Sequence, residues 1–165
     1  MRIPLGAAVT VFTLALLMTS GAQAQTVTIQ VTSLITMRQD HDRAPKGKVN
    51  KGDSVDFRDV LVNRKAQFGK KAGMPVAWDI GTVTYTSTTT TLITVKATFP
   101  KIGTITYSGP FVTKHGITVI PITGGTGGFA GARGTVIIGA GETKSPNTYV
   151  VTVPHALDLN NTGIA

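Results

Sequence analysis

From Thr26 to about residue 153 the dominant period of the chain is two. Val27, Ile29 and Val31 alternate with Thr28, Gln30 and Thr32; Ile93, Val95, Ala97 and Phe99 alternate with Thr94, Lys96 and Thr98. Val83 and Tyr85 alternate with Thr82, Thr84 and Thr86 in the same way. Alternation of this kind belongs to strands with one buried face, and threonine suits their wet side because its branched carbon fits a pleated surface. Turn signals punctuate the runs at Lys51-Gly52-Asp53, Phe68-Gly69-Lys70, Pro100 to Gly103, Gly109-Pro110 and Gly124 to Gly128. The reading is therefore strands near 26–37, 53–62, 75–86, 90–99, 103–109, 115–122, 132–139 and 147–153, consecutive and antiparallel, in a sandwich or a barrel.

Three runs carry apolar residues on both faces: Val119-Ile120, Ile137-Ile138 and Val150-Val151. In a closed sheet one face lines the interior, so the second apolar face points to an outer wall covered by another subunit. This favours a barrel and a homo-oligomer, against the plainer reading of scattered exposed valines.

The first residues follow a different pattern. Arg2 precedes an apolar run from Leu5 to about Met18, which ends in Ala22-Gln23-Ala24. A basic start, a short apolar segment and an A-x-A site predict a signal peptide over 1–24, cleaved before Gln25. The run is shorter than the roughly 20 residues of a spanning helix, so no membrane span is expected and the protein should be secreted or periplasmic. Residues 25–153 then form the barrel and 154–165 a tail that breaks the strand pattern. There is no cysteine, so an exported domain of this size is held by its core and not by disulfides.

Charge adds little. The net charge is +8, much of it in Arg43, Lys46, Lys48 and Lys51 and in Arg64, Lys65, Lys70 and Lys71. These lie in Gly- and Pro-punctuated segments. A nucleic-acid surface would interleave aromatics for stacking, yet aromatics make up 6% of the chain with one Trp, so solvated loops are the reading and no nucleic acid is expected.

Candidate chemistry is sparse. No GxSxG, HExxH or cysteine nucleophile is present, and His41, His115 and His155 lack ligand spacing. Asp40-His41-Asp42 is no better as a metal clip, because neighbours on an extended chain point oppositely; no metal is expected. GGTGGFAGARG at 124–134 invites a phosphate-loop reading. Such a loop needs a helix behind it, and a strand follows here with no Gly-Lys-Ser/Thr. The glycines instead predict a tight strand-to-strand turn at Gly124 to Gly128, through positive φ and close backbone approach.

That same stretch resembles the GGTGxFxGARG signature of the allene oxide cyclase and dirigent protein superfamily. Gly52-Asp-Ser-Val-Asp-Phe57-Arg-Asp59-Val-Leu61 resembles the family's first barrel strand, Gly69-Lys-Lys-Ala-Gly73 its next turn, and Phe99 to Phe111 its central GxIxxxGxF strand. In order, these cover roughly 50 to 153. The chain departs from the bacterial pattern at Trp78 and Asp79, where a cysteine often stands nearby, and 26–51 is less family-like.

The resemblance implies an eight-stranded antiparallel up-and-down β-barrel with an apolar central cavity, assembled as a dimer or trimer. It also implies a cofactor-independent activity: a hydrophobic unsaturated small molecule held for cyclisation, isomerisation or stereoselective coupling, by orientation and exclusion of water. Asp59 and Arg133 are the implied catalytic candidates, or a structural ion pair closing the barrel. Phe57, Trp78, Asp79, Tyr107 and Phe111 are the candidate ligand-binding wall, with core packing as the plainer role of Trp78 and Tyr107. The alternative function is a non-catalytic secreted barrel that binds a ligand or serves as a structural subunit.

Overall fold

The computed structural model describes residues 23–43, 45–111, 116–141 and 143–159. The strands are β1 (Gln25–His41), β2 (Ser54–Asn63), β3 (Pro75–Tyr85), β4 (Thr91–Phe99), β5 (Gly103–Phe111), β6 (Thr118–Gly127), β7 (Arg133–Ile138) and β8 (Lys144–Val153). Each pairs antiparallel with the next, and β1 pairs with β8 to close the barrel. The described residues contain no helix, so none is long and apolar enough to cross a membrane. The expected signal peptide over 1–24 (all but its last two residues), His115 and the end of the tail lie outside the described residues.

The period-two reading finds all eight strands, and the largest differences in their ends are at β1 and β6. β1 continues to His41 through a bulge between Ile35 and Met37, and β6 continues through the glycines to Gly127. The turn expected at Gly124 to Gly128 thus sits later, with Gly127 (φ 60°) and Gly131 (φ 73°) in the left-handed region. Gly125 pairs with Ile105 inside the ladder, and a side chain there would meet the Phe129 carbonyl oxygen at 2.3 Å. Half the signature is close-approach strand and half is turn.

One half of the lumen is solid. Phe99 is 1% exposed and touches Phe68, Phe129 and Tyr149 at centroid distances of 5.4, 5.3 and 6.0 Å. Phe129 enters this floor from the turn after β6, and Phe68 enters from a two-residue hairpin turn closed by the Gln67–Lys70 backbone pair. Phe68 and Gly69 both have positive φ (59° and 64°), the backbone such a turn requires; for a phenylalanine it is unfavourable, and burial of the ring against Phe99 offsets it. Leu157 and Leu159 of the tail pack on the same core. Among the described residues this end is plugged, and the lumen opens at the other.

Candidate functional site

The open half of the barrel is a cavity of about 1230 Å³. Its walls are the inward residues of all eight strands near the mouth, among them Val55, Phe57, Val83, Ile93, Tyr107 and Phe111. Glycine makes part of the space: Gly81 is the register partner of Phe57, and a Cβ on it would lie 2.4 Å from Phe57 Cζ. The Phe57 ring therefore lies across Gly81.

Two carboxyls face this cavity. Asp59 on β2 and Asp79 on β3 are directly opposite in the ladder, 7% and 1% exposed. Opposed residues of an antiparallel pair carry Cβ atoms roughly 4.5–5.5 Å apart, so the two groups sense each other. Ser33 of β1 donates its hydroxyl to Asp59 Oδ2. The other oxygen of Asp59, and Oδ1 of Asp79, are buried without a hydrogen-bond partner among the described residues.

Burial raises the pKa of Asp59, and the Ser33 hydrogen bond partly opposes the rise. Asp79 is pushed up to about 8, first by burial and then by the charge of Asp59. The two carboxylates cannot both ionise cheaply in a dry site. Because only Asp59 has a donor for its anion, the pair near neutral pH is an Asp59 carboxylate beside an Asp79 acid; one proton serves two groups.

Tyr107 and Tyr149 continue the site downward. Their rings meet edge to face at 5.9 Å, and Tyr149 also touches Phe99, joining the polar pair to the aromatic floor. Burial holds both phenols well above their ordinary pKa, so both are neutral donors. The Tyr149 hydroxyl is buried without a well-formed partner. Asn147, 3% exposed, lines the cavity and takes a hydrogen bond from Ser145 at 3.0 Å.

Of the residues singled out in the sequence, Asp59, Asp79, Phe57, Tyr107 and Phe111 line the cavity. Arg133 does not. It begins β7 on the outer face, since Val136 and Ile138 hold the inward positions, and its guanidinium donates to the neighbouring Ala132 carbonyl. The alternative of an Asp59–Arg133 ion pair fails with it: the ion pairs among the described residues are Arg38–Asp40 and His41–Asp56. Trp78 is also placed outside. It is 41% exposed, next in sequence to inward Asp79, so it is neither lumen wall nor core.

Asp40 and His41 turn to different partners, Arg38 and Asp56. Ser33, Asn147 and Tyr149 were missed. Their only signal is parity, since Ser33 continues the inward series Ile29, Val31, and Asn147 and Tyr149 precede inward Val151 and Val153.

The cavity is thus apolar-walled but not apolar throughout, and the described residues form a barrel with one plugged end and one open end. Solved structures with this architecture are similar over most of the chain. The fold is that of the dirigent and cyclase barrels. A pterocarpan synthase dirigent protein matches with TM-score 0.61 and 13% identity, over 86% of this chain and 97% of its own. A nonspecific heme-binding cyclase that catalyses 4 + 2 cycloaddition during neoabyssomicin biosynthesis matches with TM-score 0.62 and 15% identity, over 86% of this chain and 71% of its own. A pyocyanin demethylase matches with TM-score 0.64 and 21% identity, over 76% of this chain and 99% of its own. No protein-family model and no curated protein sequence matches the chain.

Proposed function

We propose that this dirigent-like barrel binds a hydrophobic unsaturated small molecule in its open half and steers its cyclisation, isomerisation or stereoselective coupling. The carrying observation is the opposed pair of Asp59 and Asp79 in an otherwise apolar-walled cavity. An apolar wall orders a flexible substrate and keeps water from reactive intermediates. The pair adds proton chemistry to that. Asp79, protonated near neutral pH, donates to an oxygen on which negative charge develops; Asp59, with its anion held by Ser33, takes a proton from the same substrate. This leaves the single proton of the pair on Asp59, and its return to the facing Asp79 restores the starting state.

The fold shared with a cyclase and a dirigent protein supports this reading but does not carry it, since one fold hosts many activities. A purely non-catalytic carrier is the second reading. Against it stand two buried carboxyl oxygens without partners, which stability alone does not call for. We also infer export, with cleavage before Gln25, and self-association. β1 starting at Gln25 supports the first. Supporting the second, Val119 and Ile137 are register partners on the outer wall, and Val119 is 57% exposed.

The test begins with mass spectrometry of ligands retained by protein purified from its native host. The ligand so identified, or its biosynthetic precursor, is then incubated with wild type, Asp59→Asn and Asp79→Asn. Loss of turnover in both variants with ligand binding retained supports the reading; binding without conversion by wild type establishes the carrier.

A further inference from the structure

Two loops carry most of the positive charge, and the fold sends them to opposite ends. In an up-and-down barrel alternate connections share an end, so the turns after β2, β4 and β6 meet the C-terminal tail at the plugged end. That end carries Arg64, Lys65, Lys70 and Lys71 between β2 and β3, Lys101 between β4 and β5, and Arg133 at the start of β7, all exposed. Among the described residues its one acid is Asp158, in the tail. The open end is mixed. Arg38, Arg43, Lys46, Lys48 and Lys51 stand there among Asp40, Asp42, Asp53 and Asp56, and the Arg38–Asp40 and His41–Asp56 ion pairs lie there.

The cations of the β2–β3 turn stand on a fixed base. Asn63 and Gln67 are 3% and 5% exposed, and Gln67 Nε2 donates to Asn63 Oδ1 at 3.0 Å and to the Gln30 carbonyl at 2.6 Å. Asn63 Nδ2 donates to the Gln67 and Lys70 carbonyls at 2.8 and 3.2 Å. The Arg64 amide donates to the Gln30 carbonyl at 3.0 Å. Buried amides bonded in this way hold the backbone that presents the charges. The Phe68 and Phe99 rings, 5.4 Å apart, tie this turn to the one carrying Lys101. Like charges gathered on a fixed frame repel one another, and a surface of opposite sign relieves the repulsion.

Two apolar side chains flank the cluster. Met74, 49% exposed, ends the turn. Trp78, 41% exposed and the one tryptophan of the chain, stands on the outer wall three residues into β3 from Pro75, roughly 10 Å along the strand. Cations beside an exposed methionine and tryptophan fit a lipid interface, where basic side chains meet anionic headgroups and an indole sits at headgroup level. A nucleic-acid strand calls for several stacking platforms, and this end exposes one large ring.

We propose that the plugged end docks on an anionic lipid surface. Arg64, Lys65, Lys70, Lys71 and Lys101 lie against the headgroups, and Met74 and Trp78 enter the interface at the edge of the contact. The mouth of the cavity, at the other end, then opens away from the lipid. This docking does not depend on what the cavity binds.

The test takes the mature chain beginning at Gln25, whose barrel is complete. Its partition onto vesicles of phosphatidylcholine with an equal part of phosphatidylglycerol, and onto phosphatidylcholine alone, is read by co-sedimentation at low salt. Wild type should bind the mixed vesicles and not the neutral ones, Trp78 emission should move to shorter wavelength on binding, and added salt should weaken it. Arg64→Gln/Lys65→Gln/Lys71→Gln should lower the partition coefficient roughly 100-fold, the scale of three cations at an anionic surface. Lys46→Gln/Lys48→Gln/Lys51→Gln removes the same charge from the open end and should lower it by less than about tenfold. All six side chains are exposed, and urea midpoints verify that both variants fold. Binding of Nile red, a neutral apolar dye that reports the cavity, should be the same in all three proteins. Failure of wild type to bind the mixed vesicles overturns the docking. Equal losses in the two triple variants make net charge the cause and overturn the assignment to the plugged end. Binding with unshifted Trp78 emission removes Trp78 from the contact. Capture of a single-stranded oligonucleotide without vesicle binding reassigns the face to nucleic acid.

Discussion

Asp59 and Asp79 are register partners on β2 and β3, both turned into the lumen and both nearly sealed from solvent. Ser33 bonds one of them and nothing among the described residues bonds the other's inner oxygen. Paired carboxyls in an apolar cavity weaken a fold at any pH where both are ionised. The asymmetry of hydrogen bonding, with the deeper burial of Asp79, assigns the single proton to Asp79.

This arrangement fixes a pH dependence. The folded pKa of Asp79 is raised to about 8, while an unfolded aspartate titrates near its ordinary 3.8. Between these values the folded state binds a proton that the unfolded state has lost, so stability falls as pH rises through this window and levels off above it. Urea unfolding at about pH 5 and about pH 8 should show the decline in wild type, and Asp79→Asn should flatten it. In Asp59→Asn the decline should end at a lower pH, because the like charge that helps raise Asp79 is gone. An unchanged slope in Asp79→Asn would mean that Asp79 is ionised in the folded state.

The cavity volume depends on Gly81, because Phe57 lies over it. Gly81→Val should push the Phe57 ring into the lumen, weaken Nile red binding severalfold and lower stability by about 1–3 kcal/mol through overpacking. Dye titration and urea unfolding of one sample separate the two effects. Unaltered dye affinity would place the bound dye away from Phe57.

Two glycines with positive φ make a controlled comparison. Gly47 (φ 76°) has open space around its Cβ position, whereas at Gly127 (φ 60°) the Ile102 carbonyl oxygen would sit 2.4 Å away. Gly47→Ala should cost about 1 kcal/mol, from backbone conformation alone. Gly127→Ala adds a backbone clash in the turn that delivers Phe129 to the floor, and should cost at least about 3 kcal/mol. Similar unfolding midpoints for the two variants would show that the turn relaxes freely.

Arg133 and Trp78 lie on the outer wall. Arg133→Ala and Trp78→Ala should leave Nile red affinity unchanged, and Arg133→Ala should change stability by less than about 0.5 kcal/mol. A loss of dye binding in Arg133→Ala would return that residue to the lumen.

How much of this was legible beforehand differs by residue. Strand count, antiparallel order and the lumen position of Phe57, Asp59 and Tyr107 follow from alternation and from the motifs around them. Trp78 and Asp79 are adjacent, so a strand must send them to opposite faces. A preference for burying the large apolar ring would send Trp78 inward. The ladder sends Asp79 inward instead, opposite Asp59. Arg133 lies in the stretch that resembles a family signature, but parity with Val136 puts it outside.

The sequence by itself determined the local periods, because side-chain alternation and turn propensity act over neighbouring residues: eight strands, most of the turns between them, and, away from the bulge in β1, which residues share a face. Only the tertiary structure decided which face is inside, where the bulge turns Arg38 inward, and which carboxyls meet. Those depend on register between strands up to 128 positions apart, as in Gln25 and Val153, and register is settled by closing the whole barrel at once.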